Sequence, residues 1–200
     1  KQAVTAGRRV TKCAFDGQDV VFGSDYMFTD NSRFMMIEFK YEESDLAAER
    51  GKHRRKLMCL LLDDDDVKRN LSVKCHYVCW SVKKSTRKAF LNPYYYQICN
   101  KKTFGDESGL EQAEPSIEAM VEADRLIKDF LGQSAGYTFF AFKTYCEWLM
   151  SLETASGAIE ILLVNPDEDQ LESLEFYSLV DLKAWHETQQ FKPKRLGFGI

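Results

Sequence analysis

The sequence predicts one α/β domain, a mixed central β-sheet flanked by helices. Three observations carry that expectation. Short β-type apolar runs crowd residues 1–100. Two segments of helical periodicity follow, over 115–132 and 139–152. The runs come in the order strands, helix, strands, two helices and another strand, which is the order of a sheet with helices packed on it. The 200 residues suffice for one sizeable core, and 44% apolar with 29% charged residues is ordinary for a soluble globular chain. The expected domain spans 1–200, with 1–100 as a hairpin core and 101–200 as its helical and strand completion or an interface.

Taken in order, Val20, Val21 and Phe22 make the first β-type run, followed by Tyr26 to Phe28 and the stronger Phe34 to Phe39. The Thr29-Asp30-Asn31-Ser32 between the last two is turn chemistry, so a hairpin is expected. Residues 42–62 read as a helix capped by Ser44, with Asp45 in its first turn and basic residues toward its end. Gly51 interrupts that helix, and the four aspartates from Asp63 to Asp66 stop it. Residues 71–82 alternate like a strand, 83–88 form a basic connector, and Tyr94 to Ile98 read as a further strand. Residues 101–114 are a polar loop. Pro115 and Ser116 open a helix on which Ile117, Met120, Val121, Ile127, Phe130 and Leu131 share a face, ended by Gly132. In 139–152, Phe142, Tyr145, Cys146 and Leu149 fall at helical spacing, and 159–164 is a buried-strand run. Residues 171–185 fit neither period cleanly.

The net charge of -4 argues against a simple basic glove for nucleic acid, although a local basic face can act within an acidic chain. The six cysteines, at positions 13, 59, 75, 79, 99 and 146, are expected as free, mostly buried thiols. Cys75 and Cys79 with His76 between them lack a second ligand pair at zinc spacing. No signal segment and no apolar run near 18 residues is visible, so a cytoplasmic protein without membrane contact is expected.

The chemistry concentrates in Glu38-Phe39-Lys40. A strand puts Glu38 and Lys40 on one face and Phe39 on the other. Asp25 lies thirteen residues earlier, at the start of the partner strand, where a hairpin brings it beside Glu38. Two carboxylates at that range repel unless a divalent cation lies between them, and oxygen ligands suit Mg²⁺ or Mn²⁺. Such a cation polarises a phosphate and activates bound water, and Lys40 orients that water or stabilises charge on the phosphate.

Asp25…Glu38-x-Lys40 resembles the catalytic signature of the PD-(D/E)xK nuclease superfamily, the restriction-endonuclease-like fold. In that family an Asp opens one strand of a hairpin and (D/E)xK closes the next. The resemblance covers residues 19–62. It implies Mg²⁺-dependent endonuclease hydrolysis of phosphodiester bonds, DNA as the expected polymer, Asp25 and Glu38 as ligands, the Phe39 carbonyl as a further ligand, and Lys40 as the catalytic lysine. It also implies a homodimer or larger assembly, in settings that include restriction, repair and anti-phage defence. Ser24 stands where the family has Pro. Only 24 residues precede Asp25, with no strong helix to carry the upstream acid that many members have.

The expected helix after the hairpin carries Lys52, Arg54, Arg55 and Lys56, placed to hold the phosphate backbone. Lys83, Lys84, Arg87 and Lys88 with Tyr94 to Tyr96 form a second basic and aromatic group, read as packed tyrosines rather than a groove. The literal motif recurs as Asp167 and Asp181-Leu182-Lys183, but there the Asp reads as a loop residue or helix opener. His76 and His186 read as structural or surface residues. Phe139, Phe140 and Trp148 are interface candidates. The alternative function is a non-catalytic nucleic-acid- or protein-binding subunit of a larger assembly that keeps the nuclease-like fold. A third is an inhibitor in which Asp63 to Asp66 mimic phosphate.

Overall fold

The computed structural model describes residues 10–15, 19–30, 32–83, 85–152, 159–165 and 170–176, with residues 181, 184 and 188. It is α/β, built on one mixed sheet. Its strands are β1 (Thr11–Phe15), β2 (Tyr26–Thr29), β3 (Phe34–Glu42), β4 (His76–Lys83), β5 (Arg87–Pro93), β6 (Val121–Glu122), β7 (Ile159–Asn165) and β8 (Gln170–Phe176). They run in the order β6-β5-β4-β3-β2-β1-β7-β8, so strands from both halves of the chain share the sheet. β3 and β4 are parallel, and every other pair is antiparallel. No described helix is long and apolar enough to cross a membrane.

The β2–β3 hairpin forms where the turn chemistry placed it. Asp30 Oδ1 accepts from the Ser32 amide at 3.0 Å and the Arg33 amide at 2.8 Å, closing the turn with a side chain. The register pairs Tyr26 with Ile37 and Thr29 with Phe34. A parallel β3–β4 pair cannot be joined by a tight turn. Its crossover is a 3-10 helix (Glu43–Gly51), then α2 (His53–Asp64) and α3 (Asp66–Cys75); a short α1 (Asp19–Phe22) lies before β2. The remaining helices are α4 (Tyr94–Ile98), α5 (Lys101–Phe104), α6 (Ala123–Leu131) and α7 (Phe139–Ser151).

Cores form on both sheet faces. Met27, Met36, Val78 and Trp80 pack under Met58 and Leu62 of α2, Tyr94 of α4 and Phe142, Tyr145 and Leu149 of α7. Met35, Ile37, Tyr77, Cys79 and Leu91 pack under Leu126 and Phe130 of α6. Central strands covered on both faces read as continuous apolar runs, which explains the sequence of β4.

Several expectations are corrected. The expected helix over 42–62 is two elements, because the chain winds as a 3-10 helix to Gly51 and Lys52 is extended before α2. The Glu42 amide donates to Asp45 at 3.0 Å, so Asp45 rather than Ser44 closes the start. Asp65 ends α2 and caps α3 by accepting from the Lys68 amide. Residues 71–75 are therefore the end of a helix, and the strand starts at His76. Val20 to Phe22 and Tyr94 to Ile98 are helical, since burial of Phe22, Tyr94, Tyr95 and Ile98 overrides their β-preference. The basic connector over 83–88 contains the start of β5. The helix assigned to 115–132 begins only at Ala123. Asn92 Nδ2 donates to the Ser116 carbonyl at 2.8 Å and the Ser116 amide to the Tyr96 carbonyl at 3.0 Å, holding Ser116 as loop, and Val121–Glu122 pair with β5 as β6. The polar loop over 101–114 holds α5 and a further 3-10 turn, Asp106–Ser108.

The cysteine expectation is corrected too. Cys59 of α2 and Cys99 after α4 form a disulfide across a 40-residue separation. The other four cysteines are free and buried, as expected. Closing a loop of that length restricts the unfolded chain, a stabilisation of about 2–4 kcal/mol. Urea unfolding in a reducing agent is expected to move the midpoint down accordingly, and Cys59→Ser to do the same without reductant. An unchanged midpoint in both would show that the bridge does not constrain the chain.

Candidate functional site

Asp25 enters β2 from a turn at Gly23, whose φ of +73° suits glycine. A Cβ on Gly23 would also lie 2.8 Å from the Arg55 guanidinium carbon. Gly23→Ala is therefore expected to cost about 1–3 kcal/mol in urea unfolding, because both backbone strain and a buried guanidinium resist it. A wild-type midpoint would refute that account.

The Asp25 amide donates to the Ile37 carbonyl at 3.1 Å, and its carbonyl accepts from the Phe15 amide at 2.9 Å. Continuing the Tyr26–Ile37 register by one residue places Asp25 opposite Glu38, on the face of Met27 and Met36. Asp25 Oδ2 accepts from the Phe39 amide at 2.6 Å. Lys40, two residues beyond Glu38 on the same face, donates to Glu38 Oε1 at 2.6 Å. The structure thus brings the three predicted residues Asp25, Glu38 and Lys40 together at one strand end. The register of β3 on β4 shifts between Phe39 and Glu42, at the residue whose carbonyl the resemblance makes a ligand.

Sequence reasoning missed Glu49. In the 3-10 helix, with three residues per turn, Leu46 and Glu49 follow one line and are its buried residues. Glu49 is 0% exposed. Its Oε1 lies 2.8 Å from Lys40 Nζ and 2.7 Å from Lys52 Nζ. Its Oε2 accepts from the Tyr94 hydroxyl at 2.6 Å and lies 3.7 Å from Arg55 Nε. The acid-then-cation spacing Glu49-x-x-Lys52 is the only trace of this in the sequence, and it is too common to single out.

The two buried glutamates differ in kind. Burial opposes the charge on Glu49, but hydrogen bonds from Lys40, Lys52 and Tyr94 more than offset it and lower its pKa to about 2. Burial also opposes the charge on Glu38, and the Lys40 hydrogen bond does not offset it; with Asp25 adding repulsion, its pKa rises. Burial opposes the charge on Lys40 as well, yet Glu38 and Glu49 hold it cationic well above the ordinary lysine range.

Of the predicted phosphate-binding residues, the two arginines are turned to partners within the protein. Arg55 is 2% exposed and faces Glu49 and Gly23, so it does not present a charge to solvent. Arg54 donates to the Leu149 carbonyl and ties α2 to α7. Lys52 Nζ lies 2.7 Å from Glu49 and 3.4 Å from Glu38, with its side chain 41% exposed. Lys56 is half-buried on α2. Helix geometry explains the division, since positions 54 to 56 cannot all share one face.

The lesser features resolve too. His76 is fully buried, 2.9 Å from the Tyr145 hydroxyl through Nδ1 and 3.0 Å from the Gly23 carbonyl through Nε2. The carbonyl only accepts, so Nε2 carries the proton, and burial lowers the pKa to about 3. With both ring nitrogens engaged, His76 is structural and not a zinc ligand. Tyr94 and Tyr95 are buried and offer no stacking groove. Phe139 packs on Phe34, whereas Phe140 is exposed. Asp63, Asp65 and Asp66 are engaged by Tyr95, Lys68 and Arg69, while Asp64 and Asp66 are exposed. Of the second literal motif, Asp167, Leu182 and Lys183 lie outside the described residues, as does His186. The strand Gln170–Phe176 does follow Asp167, but Asp181 is helical and not on that strand.

The donor set can be tested against the cation that the resemblance implies. Asp25 Oδ1 and Glu38 Oε2 accept no hydrogen bond among the described residues, while both Glu49 oxygens are engaged. Two open carboxylate oxygens on facing residues suit a hard divalent cation, which would also relieve the repulsion between Asp25 and Glu38. No three or more His, Cys, Asp or Glu side chains are placed to hold one metal ion among the described residues, so the protein would supply part of the shell and water or phosphate the rest. No family model, curated protein or solved structure matches the chain, so its function is argued from this geometry and the motif that forms it.

Proposed function

We propose that this protein is a metal-dependent nuclease of restriction-endonuclease-like type that hydrolyses phosphodiester bonds, with DNA as the expected polymer. The observation that carries the reading is the facing pair Asp25 and Glu38 with Lys40 on the same sheet face, 2.6 Å from Glu38. Asp25 and Glu38 would hold Mg²⁺ or Mn²⁺ through their open oxygens. When bound, the ion supplies Lewis acidity toward a phosphate and a lowered pKa for water. The protein's own groups do the positioning. The Phe39 amide fixes Asp25, and the hairpin register fixes Glu38 opposite it. Glu49 anchors Lys40, whose Nζ keeps its proton. Lys40 therefore stabilises charge developing on the phosphate as a fixed cation and does not act as a base.

The alternative is a binding subunit that retains the nuclease-like fold without cutting. One observation favours it: Asp25, Glu38 and Glu49 are balanced by Lys40, Lys52 and Arg55, so the cluster is neutral without a cation. Supercoiled plasmid and single-stranded DNA incubated with Mg²⁺, Mn²⁺ or EDTA separate the readings. Metal-dependent cutting that Glu38→Ala and Lys40→Ala abolish supports the enzyme. DNA retention in a gel without cutting supports the binding subunit.

A further inference from the structure

The sheet end that carries Glu38 and Lys40 on one face carries aromatic side chains on the other. Tyr26 pairs with Ile37 and Phe28 with Met35, so both rings lie on the face of Phe39, which they meet. Tyr41 follows at the register shift, its ring under Arg87, which also donates to Ser81, two residues beyond Cys79 on that face. The core under α6 covers Met35 and Ile37 but stops short of the strand end. Beyond it Phe39 is 41% exposed and Tyr41 69% exposed. Tyr26 meets Phe39 edge-on at 5.6 Å between ring centres, and Phe28 lies 6.4 Å from Tyr26 and 6.5 Å from Phe39.

Two cations lie over these rings. Lys12 Nζ is 3.8 Å from the Tyr26 ring centre, and Lys12 makes no ion pair among the described residues. The Arg87 guanidinium is 4.1 Å from the Tyr41 ring centre, donates to the Tyr41 hydroxyl at 2.9 Å and reaches Glu42 at 3.4 Å. Exposed aromatic clusters mark binding surfaces. What distinguishes this one is a cation over each end, Lys12 without an acidic partner among the described residues and Arg87 shared with Glu42. A protein partner's apolar patch gains nothing from those cations, whereas a polyanion with planar bases matches both features.

We propose that Tyr26, Phe39 and Tyr41, with Lys12 and Arg87, bind single-stranded nucleic acid by base stacking, so that a strand engaged at the Glu38 site continues over the sheet end onto this face. The choice of polymer rests on the nuclease reading. The probe is a fluorescein-labelled oligothymidylate of about 20 nucleotides, long enough to exceed a typical single-strand site. Its binding is followed by fluorescence anisotropy in EDTA, where no cleavage interferes. Tyr26→Ala and Tyr41→Ala are each expected to weaken binding about 5- to 100-fold, the range for one lost base stack. Tyr41→Phe keeps the ring and should stay near wild type, whereas Tyr41→Leu should not. Lys12→Ala should flatten the log–log salt dependence by about 0.7. Tyr41 is exposed, so its variants retain the wild-type melt.

Wild-type binding by both alanine variants, or no oligothymidylate binding at all, overturns the proposal. So does a dimer in sedimentation that Tyr41→Ala dissolves, since the face would then be a protein interface. If plasmid cutting fails while Tyr41-dependent oligothymidylate binding persists, the nuclease reading falls and this surface stands. If Glu38-dependent cutting occurs while the tyrosine variants bind normally, this proposal alone falls.

Discussion

Replacing Glu49 by alanine is expected to lower the unfolding free energy by about 3–5 kcal/mol, the cost of removing one partner from a buried ion pair. Lys40, Arg55 and the Tyr94 hydroxyl would all lose the oxygen that receives them. Glu49→Gln keeps the volume and should lose less, but its acid response identifies the cause. The Glu49 pKa falls from 4.5 to about 2 on folding. A carboxylate with a depressed folded pKa contributes stability in full above its unfolded value. That contribution, about 3 kcal/mol by linkage, disappears as pH falls from about 4.5 toward about 2. The wild type should therefore lose stability steeply over that window, and Glu49→Gln less steeply. Parallel acid limbs in urea titrations of the two proteins would mean that Glu49 is not the group responsible.

Glu38→Ala and Lys40→Ala are each expected to lower the Mg²⁺-dependent cleavage rate by about 10²–10³-fold, the usual effect of removing one preorganised electrostatic group. The double variant should fall little further, because groups that act as a unit are not additive. Stability separates the two glutamates independently of activity. The Glu38 pKa is raised because the folded protein disfavours its charge. Glu38→Gln should therefore keep or raise Tm while cutting is lost, whereas Glu49→Gln lowers Tm. A site that trades stability for function behaves in this way. A Glu38→Gln variant that both cuts normally and melts lower would contradict the assignment. Lys56→Ala, on the half-buried helix face, should leave cutting by a saturated enzyme largely unchanged.

The sequence by itself determined the α/β class, the β2–β3 hairpin and the facing of Asp25, Glu38 and Lys40. These are consequences of short-range rules. The Asp30 turn sets the register, and a period of two then puts Glu38 and Lys40 on one face with Asp25 across from them. The α7 helix was legible for the same reason, since its buried residues Phe142, Tyr145, Cys146 and Leu149 repeat at helical spacing. Tertiary structure decided the rest. Tyr94 to Ile98 and Val20 to Phe22 have strand composition but fold as helices, because burial against the sheet outweighs a weak intrinsic preference. The Cys59–Cys99 bridge joins positions that only the packing of α2 beside α4 brings together. The burial of Arg55, the pairing of Lys52 with Glu49 and the role of Glu49 depend on the crossover winding as a 3-10 helix and breaking at Gly51, a competition between local windings that no spacing rule resolves. The sequence named the carboxylates and the lysine, and the fold supplied the buried acid that holds the lysine in place.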